Sequence, residues 1–327
     1  MFVYITRKIP PSGIEMLKKQ KGFKFVVSPH DRVLTKKELI KNAKGCDALL
    51  SLLTDKIDGE VMKGIGKQLK IIANYAVGFD NIDLPAAKAL GIMVTNTPGP
   101  EISRSVAEHT VALILACAKR IAESDRFTRA KKYQGWAPMM LLGSNLYGKT
   151  LGIVGLGAIG REVAKMMKAF EMDIVYFDVK PDKDFEKQFG AKYLTVAELL
   201  KKSDFVTLHV PLLPTTKYMI DEKALAMMKK TAFIVNTSRG PIIKEKALLK
   251  ALKEKKIAGA ALDVYECEPA IDCDLTDKLE LRKMENVVLT PHTASAAIET
   301  RERMGQVAAQ NIIAAFSGKT PPNLVRN

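Results

Sequence analysis

The 327-residue chain is predicted to be an α/β protein made of two doubly wound parallel-sheet domains, one inserted into the other. Three observations lead to this reading. A length of more than twice a typical core implies two domains. Strand-like and helix-like segments alternate from the start, and a second such series opens near Thr150. The helical tail after Pro291 is too short for a domain of its own, so it is expected to return to the first series. Residues 1–99 with 294–327 then form one domain, and residues 100–293 the inserted one.

In the first series, strands are expected at Phe2 to Thr6, Phe23 to Val27, Ala48 to Leu53, Ile71 to Tyr75 and Ile92 to Thr95, with helices from Gly13 to Lys19 and from Lys37 to Lys44. Two prolines and a glycine in Asn96-Thr97-Pro98-Gly99-Pro100 mark a loop. Ser103 then serves as N-cap of a long apolar helix from Ser105 to Ile121. Six strands are expected in the second series: Leu151 to Val154, Ile174 to Phe177, Phe205 to Val210, Phe233 to Val235, Ala258 to Leu262 and Val287 to Leu289.

The second series carries Gly155-Leu156-Gly157-Ala158-Ile159-Gly160 between a buried-strand pattern and a helix with regular apolar spacing. That is the context a dinucleotide fingerprint requires. Gly155 permits the tight turn, Gly157 lets the backbone approach a pyrophosphate, and Gly160 lets helix pack on strand. The backbone of Ala158 and Ile159 opens the helix whose N-terminus faces the anion. Asp178 ends the next strand at the offset where a carboxylate takes the ribose hydroxyls and repels a 2'-phosphate, so NAD is the expected cofactor; Lys180 offers a cation nearby. No fingerprint glycines follow the first strand of the chain, which makes residues 100–293 the Rossmann domain and the remainder the substrate domain.

Charge and composition exclude other classes. The net charge of +15 is spread over lysines with acids interspersed, without the basic stripe and interleaved aromatics of a nucleic-acid reader, so no nucleic-acid partner is expected. A positive field instead draws a small anionic substrate. No apolar stretch approaches the ~18 residues that span a bilayer, so no membrane partner is expected. Met1 to Thr6 reads as a strand rather than a targeting segment. Cys46, Cys117, Cys267 and Cys273 show no metal-ligand spacing; they are read as reduced thiols of a cytoplasmic protein, and no metal is expected.

Hydride chemistry on a carbonyl needs an acid for the oxygen, a cation for the charge and a seat for the substrate. Arg239 in Asn236-Thr237-Ser238-Arg239-Gly240 lies past a strand end, where doubly wound sheets bind ligands, and its planar fork suits a carboxylate with an adjacent carbonyl. Glu268 and His292 likewise follow strands. A carboxylate beside a histidine favours the imidazolium and fixes its ring, which equips His292 to give or take the carbonyl proton. His30, His109 and His209 read as structural.

The glycine fingerprint, Asn-Thr-Ser-Arg-Gly, Asp263-Val264-Tyr265-Glu266-Cys267-Glu268-Pro269 and Pro291-His292-Thr293-Ala294-Ser295, in this order, resemble the D-isomer-specific 2-hydroxyacid dehydrogenases over nearly the whole chain. The resemblance implies Arg239 as substrate binder, Glu268 as partner of the acid and His292 as acid or base. It further implies substrate contacts at Leu53, Val77, Gly78 and Ser295, and a cofactor lined by Val106, Val210, Pro211, Thr216, Thr237, Ser238 and Asp263. The opening strand and helix, Leu146-Tyr147-Gly148-Lys149-Thr150 and Pro321-Pro322-Asn323-Leu324-Val325 are similar to glyoxylate and hydroxypyruvate reductases, whereas Ser103 to Glu108 is closer to phosphoglycerate dehydrogenases. Gln134-Gly135-Trp136 and the position of Arg301 resemble phosphite dehydrogenases, which place a lysine where this chain has Val77. A dinucleotide-sensing corepressor is the alternative from another class. The resemblance also implies a homodimer built through the apolar helix and the arm from Tyr133 to Leu146.

Overall fold

The central strands of this chain are largely apolar runs, because both faces of each sheet are covered there, whereas the edge strands β2 and β8 are partly exposed. Tyr75 and the four residues before it are all buried, as are the five of Thr150–Val154. The computed structural model describes residues 1–268 and 280–325. It divides into two units: Met1–Ile102 with the C-terminal residues from Ala296 onward, and Ser103–Glu268 with the stretch that ends at Ser295.

The first unit contains β1 (Phe2–Ile5), α1 (Pro11–Lys18), β2 (Lys24–Val27), α2 (Lys36–Ala43), β3 (Ala48–Leu52), α3 (Gly59–Ile65), β4 (Ile71–Tyr75), α4 (Leu84–Ala89) and β5 (Met93–Thr95). Its five strands are parallel in the order β2-β1-β3-β4-β5. One face packs on α2 and α3 through Leu39, Ile57, Val61 and Ile72; the other packs through Val3, Leu17 and Ile71 on the C-terminal helix, whose Met304, Ala308 and Ile312 complete that core. Two helices absent from the expected series, α3 and α4, begin at Asp58 and Asp83, whose carboxylates accept from the first free backbone N–H groups. Their seven and six residues carry too little periodic pattern to stand out in the sequence.

α5 (Pro100–Ala118) starts in the first unit and continues into the second. It opens at Pro100 rather than after Ser103, so Ser103 lies inside the helix and is not its cap. Then come α6 (Ile121–Arg129), β6 (Thr150–Val154), α7 (Ala158–Lys168), β7 (Asp173–Phe177), α8 (Lys183–Phe189), β8 (Lys192–Tyr193), α9 (Val196–Lys202), β9 (Phe205–Leu208), α10 (Glu222–Met227), β10 (Phe233–Asn236), α11 (Glu245–Lys253), β11 (Gly259–Leu262) and β12 (Val287–Leu289). Seven parallel strands run β12-β11-β10-β9-β6-β7-β8, one more than the six expected, because the two-residue edge strand β8 is too short to leave a pattern. The order reverses between β6 and β9, and the glycine turn leaves β6 at that switch point. Chain order closes with α12 (Ile298–Phe316) in the first unit. No helix among the described residues is long and apolar enough to cross a membrane.

Most of α5 is covered by its own unit. Ala107, Val111, Leu113 and Ile114 are buried against Leu151, Ile153 and Val163, while Ala112 stays exposed and Leu115 and Ala116 are partly so. The residues left open, Ala112 with Leu115 and Ala116, lie in the stretch that the resemblance assigns to a dimer contact. Cys46 and Cys117 are free and buried, which pushes both thiols up to about 12. Cys267 is disulfide-bonded, against the expectation of reduced thiols; Pro269 and Cys273 lie outside the described residues.

In the first unit α1 crosses α12 at a glycine pair. A Cβ on Gly13 would sit 2.3 Å from the Gly305 carbonyl oxygen, so the helices meet backbone to backbone. Gly13→Ala is expected to cost about 1–3 kcal/mol by overpacking and to lower the Tm, whereas Gly305→Ala, whose Cβ meets nothing nearer than 3.5 Å, is expected to cost less. Thermal melts of the two variants check the difference.

Candidate active site and cofactor cradle

Three neighbouring strands of the second sheet, β10, β11 and β12, each end in a segment that bears one of the expected catalytic residues. Arg239 lies three residues beyond β10. Asn236 fixes this turn: its side-chain N–H donates to the Arg239 carbonyl at 2.9 Å and its Oδ1 accepts from the Ser238 N–H at 3.0 Å. Gly240 is obligatory there, since a Cβ would fall 1.8 Å from the Tyr265 carbonyl oxygen. The Arg239 guanidinium is partly buried and donates to the Ser238 carbonyl at 2.8 Å.

Glu268 and His292 meet directly, with Nδ1 of the imidazole 2.5 Å from Glu268 Oε2 and both side chains largely covered. With Nδ1–H facing the carboxylate, Nε2 is the nitrogen left to exchange a proton. His292 sits in the left-handed region at φ 53°, a conformation disfavoured for a residue with a Cβ. It is held there because its N–H donates to the Asp263 and Thr290 carbonyls at 2.9 and 3.1 Å.

The Asp263 side chain sets the loop. It accepts from the Thr290 hydroxyl at 2.6 Å, from the Thr293 and Ala294 N–H groups at 2.8 and 2.9 Å, and lies 3.4 Å from His109 Nε2. Burial pushes this carboxyl up, but His109, Thr290, Thr293 and Ala294 together outweigh the penalty and hold it below its ordinary value. His109, read from the sequence as structural, braces the loop that carries His292, with Nε2 also 3.2 Å from the Thr290 hydroxyl. Ser105, one turn earlier on the same face of α5, donates to the Ala294 carbonyl at 3.4 Å. That four-residue spacing of two polar residues in an apolar helix was the available signal. His209, by contrast, is desolvated down to about 3 and is neutral, bonded to the Thr207 hydroxyl at 3.0 Å.

The glycine turn fits a dinucleotide. Gly155 has φ 98°, and a Cβ there would meet the His209 carbonyl carbon at 2.7 Å; one on Gly160 would meet the Gly155 carbonyl oxygen at 2.2 Å. Around Gly157 nothing lies within 4 Å of a Cβ position, which leaves the backbone open where a pyrophosphate would approach. Gly157 is the N-cap of α7, and no side chain caps the free N–H groups at Ala158 and Ile159. Asp178 is aimed by the Leu156 N–H, which donates to its Oδ2 at 2.7 Å. Of the remaining cofactor candidates, Val106 is buried, Thr237 bonds Thr110 at 2.9 Å, Thr216 donates to the Pro211 carbonyl at 2.6 Å, and the Ser238 hydroxyl donates to the Val210 carbonyl. Asp263 is wholly enclosed.

In the first unit, Leu53, Val77 and Gly78 lie on two loops tied together by asparagines. Asn74 donates to the Gly78 carbonyl at 2.9 Å and to Asn81 Oδ1 at 3.0 Å, and Asn81 donates to the Leu52 and Asp55 carbonyls at 3.1 and 2.9 Å. Asn96 holds the Val77 carbonyl at 2.7 Å. None of these asparagines was a candidate from sequence, because a lone asparagine reads as a turn residue. Ser295 is partly buried beside the His292 loop.

Residues 111–294 match the model of the D-isomer specific 2-hydroxyacid dehydrogenase, NAD binding domain. A glyoxylate reductase of Korarchaeum cryptofilum is 49% identical over 324 residues, covering 99% of this chain and 95% of the relative. A crystal structure of a Thermus thermophilus protein superposes with a TM-score of 0.92 at 40% identity over the whole of both chains, and that of a glyoxylate reductase from Paecilomyes thermophila with 0.85 at 30% identity over 99% and 98%. The chain is an NAD-dependent dehydrogenase that belongs to the D-isomer-specific 2-hydroxyacid dehydrogenase family.

Proposed function

We propose that this enzyme interconverts a small 2-keto acid such as glyoxylate or hydroxypyruvate with its D-2-hydroxy acid. The observation that carries the reading is the His292–Glu268 pair at 2.5 Å, on the strand ends next to the one that bears Arg239. The bound nicotinamide supplies or accepts the hydride. His292 gives its Nε2 proton to the carbonyl oxygen in reduction and removes it in oxidation. Glu268 stabilises the imidazolium and keeps its ring aimed. Arg239 presents parallel donors to the carboxylate and the carbonyl oxygen, so charge that develops on the oxygen meets a fixed cation. Backbone amides at Val77 and Gly78 take the carboxylate, with Leu53 and Ser295 as further substrate contacts. Val106, Val210, Pro211, Thr216, Thr237, Ser238 and Asp263 line the cofactor. A cytoplasmic location suits an enzyme that draws on soluble nicotinamide.

A screen at 340 nm of glyoxylate, hydroxypyruvate, pyruvate, phosphohydroxypyruvate and phosphite against NADH, or NAD for phosphite, tests the substrate class. Highest kcat/KM is expected for glyoxylate or hydroxypyruvate. Preference for phosphohydroxypyruvate or phosphite would move the enzyme to the corresponding branch of the family, and no turnover with any of the five would favour a sensor.

His292→Gln should lower kcat by about 10²-fold or more with little change in cofactor affinity, since general acid catalysis contributes about that much. Glu268→Gln should cost less. Arg239→Lys should raise KM and lower kcat although charge is kept, because an ammonium cannot offer two parallel donors. Near-normal kinetics in His292→Gln would remove that residue from proton transfer.

The protein is also read as a homodimer. Support comes from the segment that follows α6, where Tyr133, Trp136, Met139 and Leu142 stand exposed, Trp136 to 82%. Four large apolar side chains exposed within ten residues suit a partner interface. Light scattering at micromolar concentration is expected to give twice the 36.0 kDa chain mass. The mass of one chain would overturn the assignment, and Trp136→Glu is expected to weaken the dimer if the arm forms it.

A further inference from the structure

Below the glycine turn, an open pocket of about 570 Å³ is lined by Leu156, Arg161, Asp178, Val179, Lys180, Pro181, Asp182 and Lys183. Leu156 and Asp178 mark it as the place of the adenosine ribose, because the Leu156 N–H aims the Asp178 carboxylate. Three cations, Arg161, Lys180 and Lys183, share this space with the carboxylates of Asp178 and Asp182. Two of the cations are already engaged. Arg161 donates to Asp182 Oδ2 at 2.6 Å and lies over the Phe185 ring at 5.3 Å; Lys183 pairs with Glu186 at 3.0 Å. The other Asp182 oxygen accepts from the Phe185 N–H at 2.9 Å as the N-cap of α8. Both contacts hold the Asp182 carboxyl below its ordinary value.

We propose that Asp182 is a second determinant of cofactor choice: by holding Arg161 it withholds the pocket's guanidinium fork, which beside Lys180 would otherwise pair with a 2'-phosphate. Asp178 acts by repulsion at the ribose, and Asp182 by sequestration of the fork best suited to a phosphate. The pocket is then a latent 2'-phosphate site, closed by two carboxylates rather than one. This rests on the assignment of Asp178 to the ribose.

Asp182→Asn separates the two jobs of the residue, because the amide oxygen still caps α8 while the charge that binds Arg161 is gone; Asp182→Ser, with its own capping hydroxyl, is the second variant if the first does not fold. Dissociation constants for NADH, NADPH and adenosine 2',5'-bisphosphate are measured by titration calorimetry. Asp182→Asn is expected to tighten NADPH and the bisphosphate about tenfold, the size of one added charge-assisted hydrogen bond, with NADH changed less than about twofold. The gain is expected to weaken with added salt and to vanish in Asp182→Asn/Arg161→Ala. Equal effects on NADH and NADPH, or a gain that survives loss of Arg161, would overturn the proposal. Asp178→Asn serves as the control on its premise: unchanged NADH affinity there would show that the ribose is elsewhere, a failure distinct from that of Asp182.

Discussion

The Asp263 carboxylate, enclosed at the end of β11, is the constraint on which the loop that carries His292 depends. Its two oxygens take the Thr290 hydroxyl and the Thr293 and Ala294 N–H groups, and His109 approaches from α5. A buried charge without such partners would cost several kcal/mol. With them, it becomes a node that draws the chain after β12 across the end of β11. The Asp263 backbone adds its carbonyl to the same purpose, by accepting from the N–H of His292. The left-handed backbone of His292 is the visible result: a conformation that a histidine adopts only when its surroundings impose it.

Once the loop is so placed, the rest of the candidate site follows from adjacency in the sheet. β10, β11 and β12 are parallel neighbours, so the segments after them emerge on one edge. Glu268 reaches His292 because both leave adjacent strands, and Arg239 is offered from the third. Tyr265 supports the same corner by donating to the Thr290 carbonyl at 2.8 Å, and the absence of a side chain at Gly240 lets the Arg239 turn pass against the Tyr265 backbone. The disulfide at Cys267 falls next to Glu268, within this corner.

Cofactor recognition is built on a different logic. At Gly155 and Gly160 the glycines are dictated by close backbone contacts, whereas the space around Gly157 is open. The first two shape the turn; the third leaves room for a ligand. Charge around the neighbouring pocket is arranged with equal economy, since Asp182 ends one strand-to-helix loop, caps α8 and engages Arg161 at once.

Much of this was legible in the residues alone. Largely apolar runs announced the central parallel strands, the glycine spacing with its flanking strand and helix announced the dinucleotide turn, and Arg239, Glu268 and His292 stood out as polar residues at the ends of apolar runs. Those signals are local, and local pattern is what a sequence displays directly. The short elements β8, α3 and α4 left too few residues to show a period. His109, Asn74 and Asn81 were missed because their roles depend on partners brought close by folding: Thr290 lies 181 residues from His109, and Leu52 lies 29 from Asn81. The sequence by itself determined the fold class, the cofactor turn and the candidates for the reacting groups. Only the tertiary structure decided that Asp263 would be the buried node, that most of α5 would be covered by its own unit, and that Arg161 would be held by Asp182, because each of these depends on which distant groups meet when water is excluded.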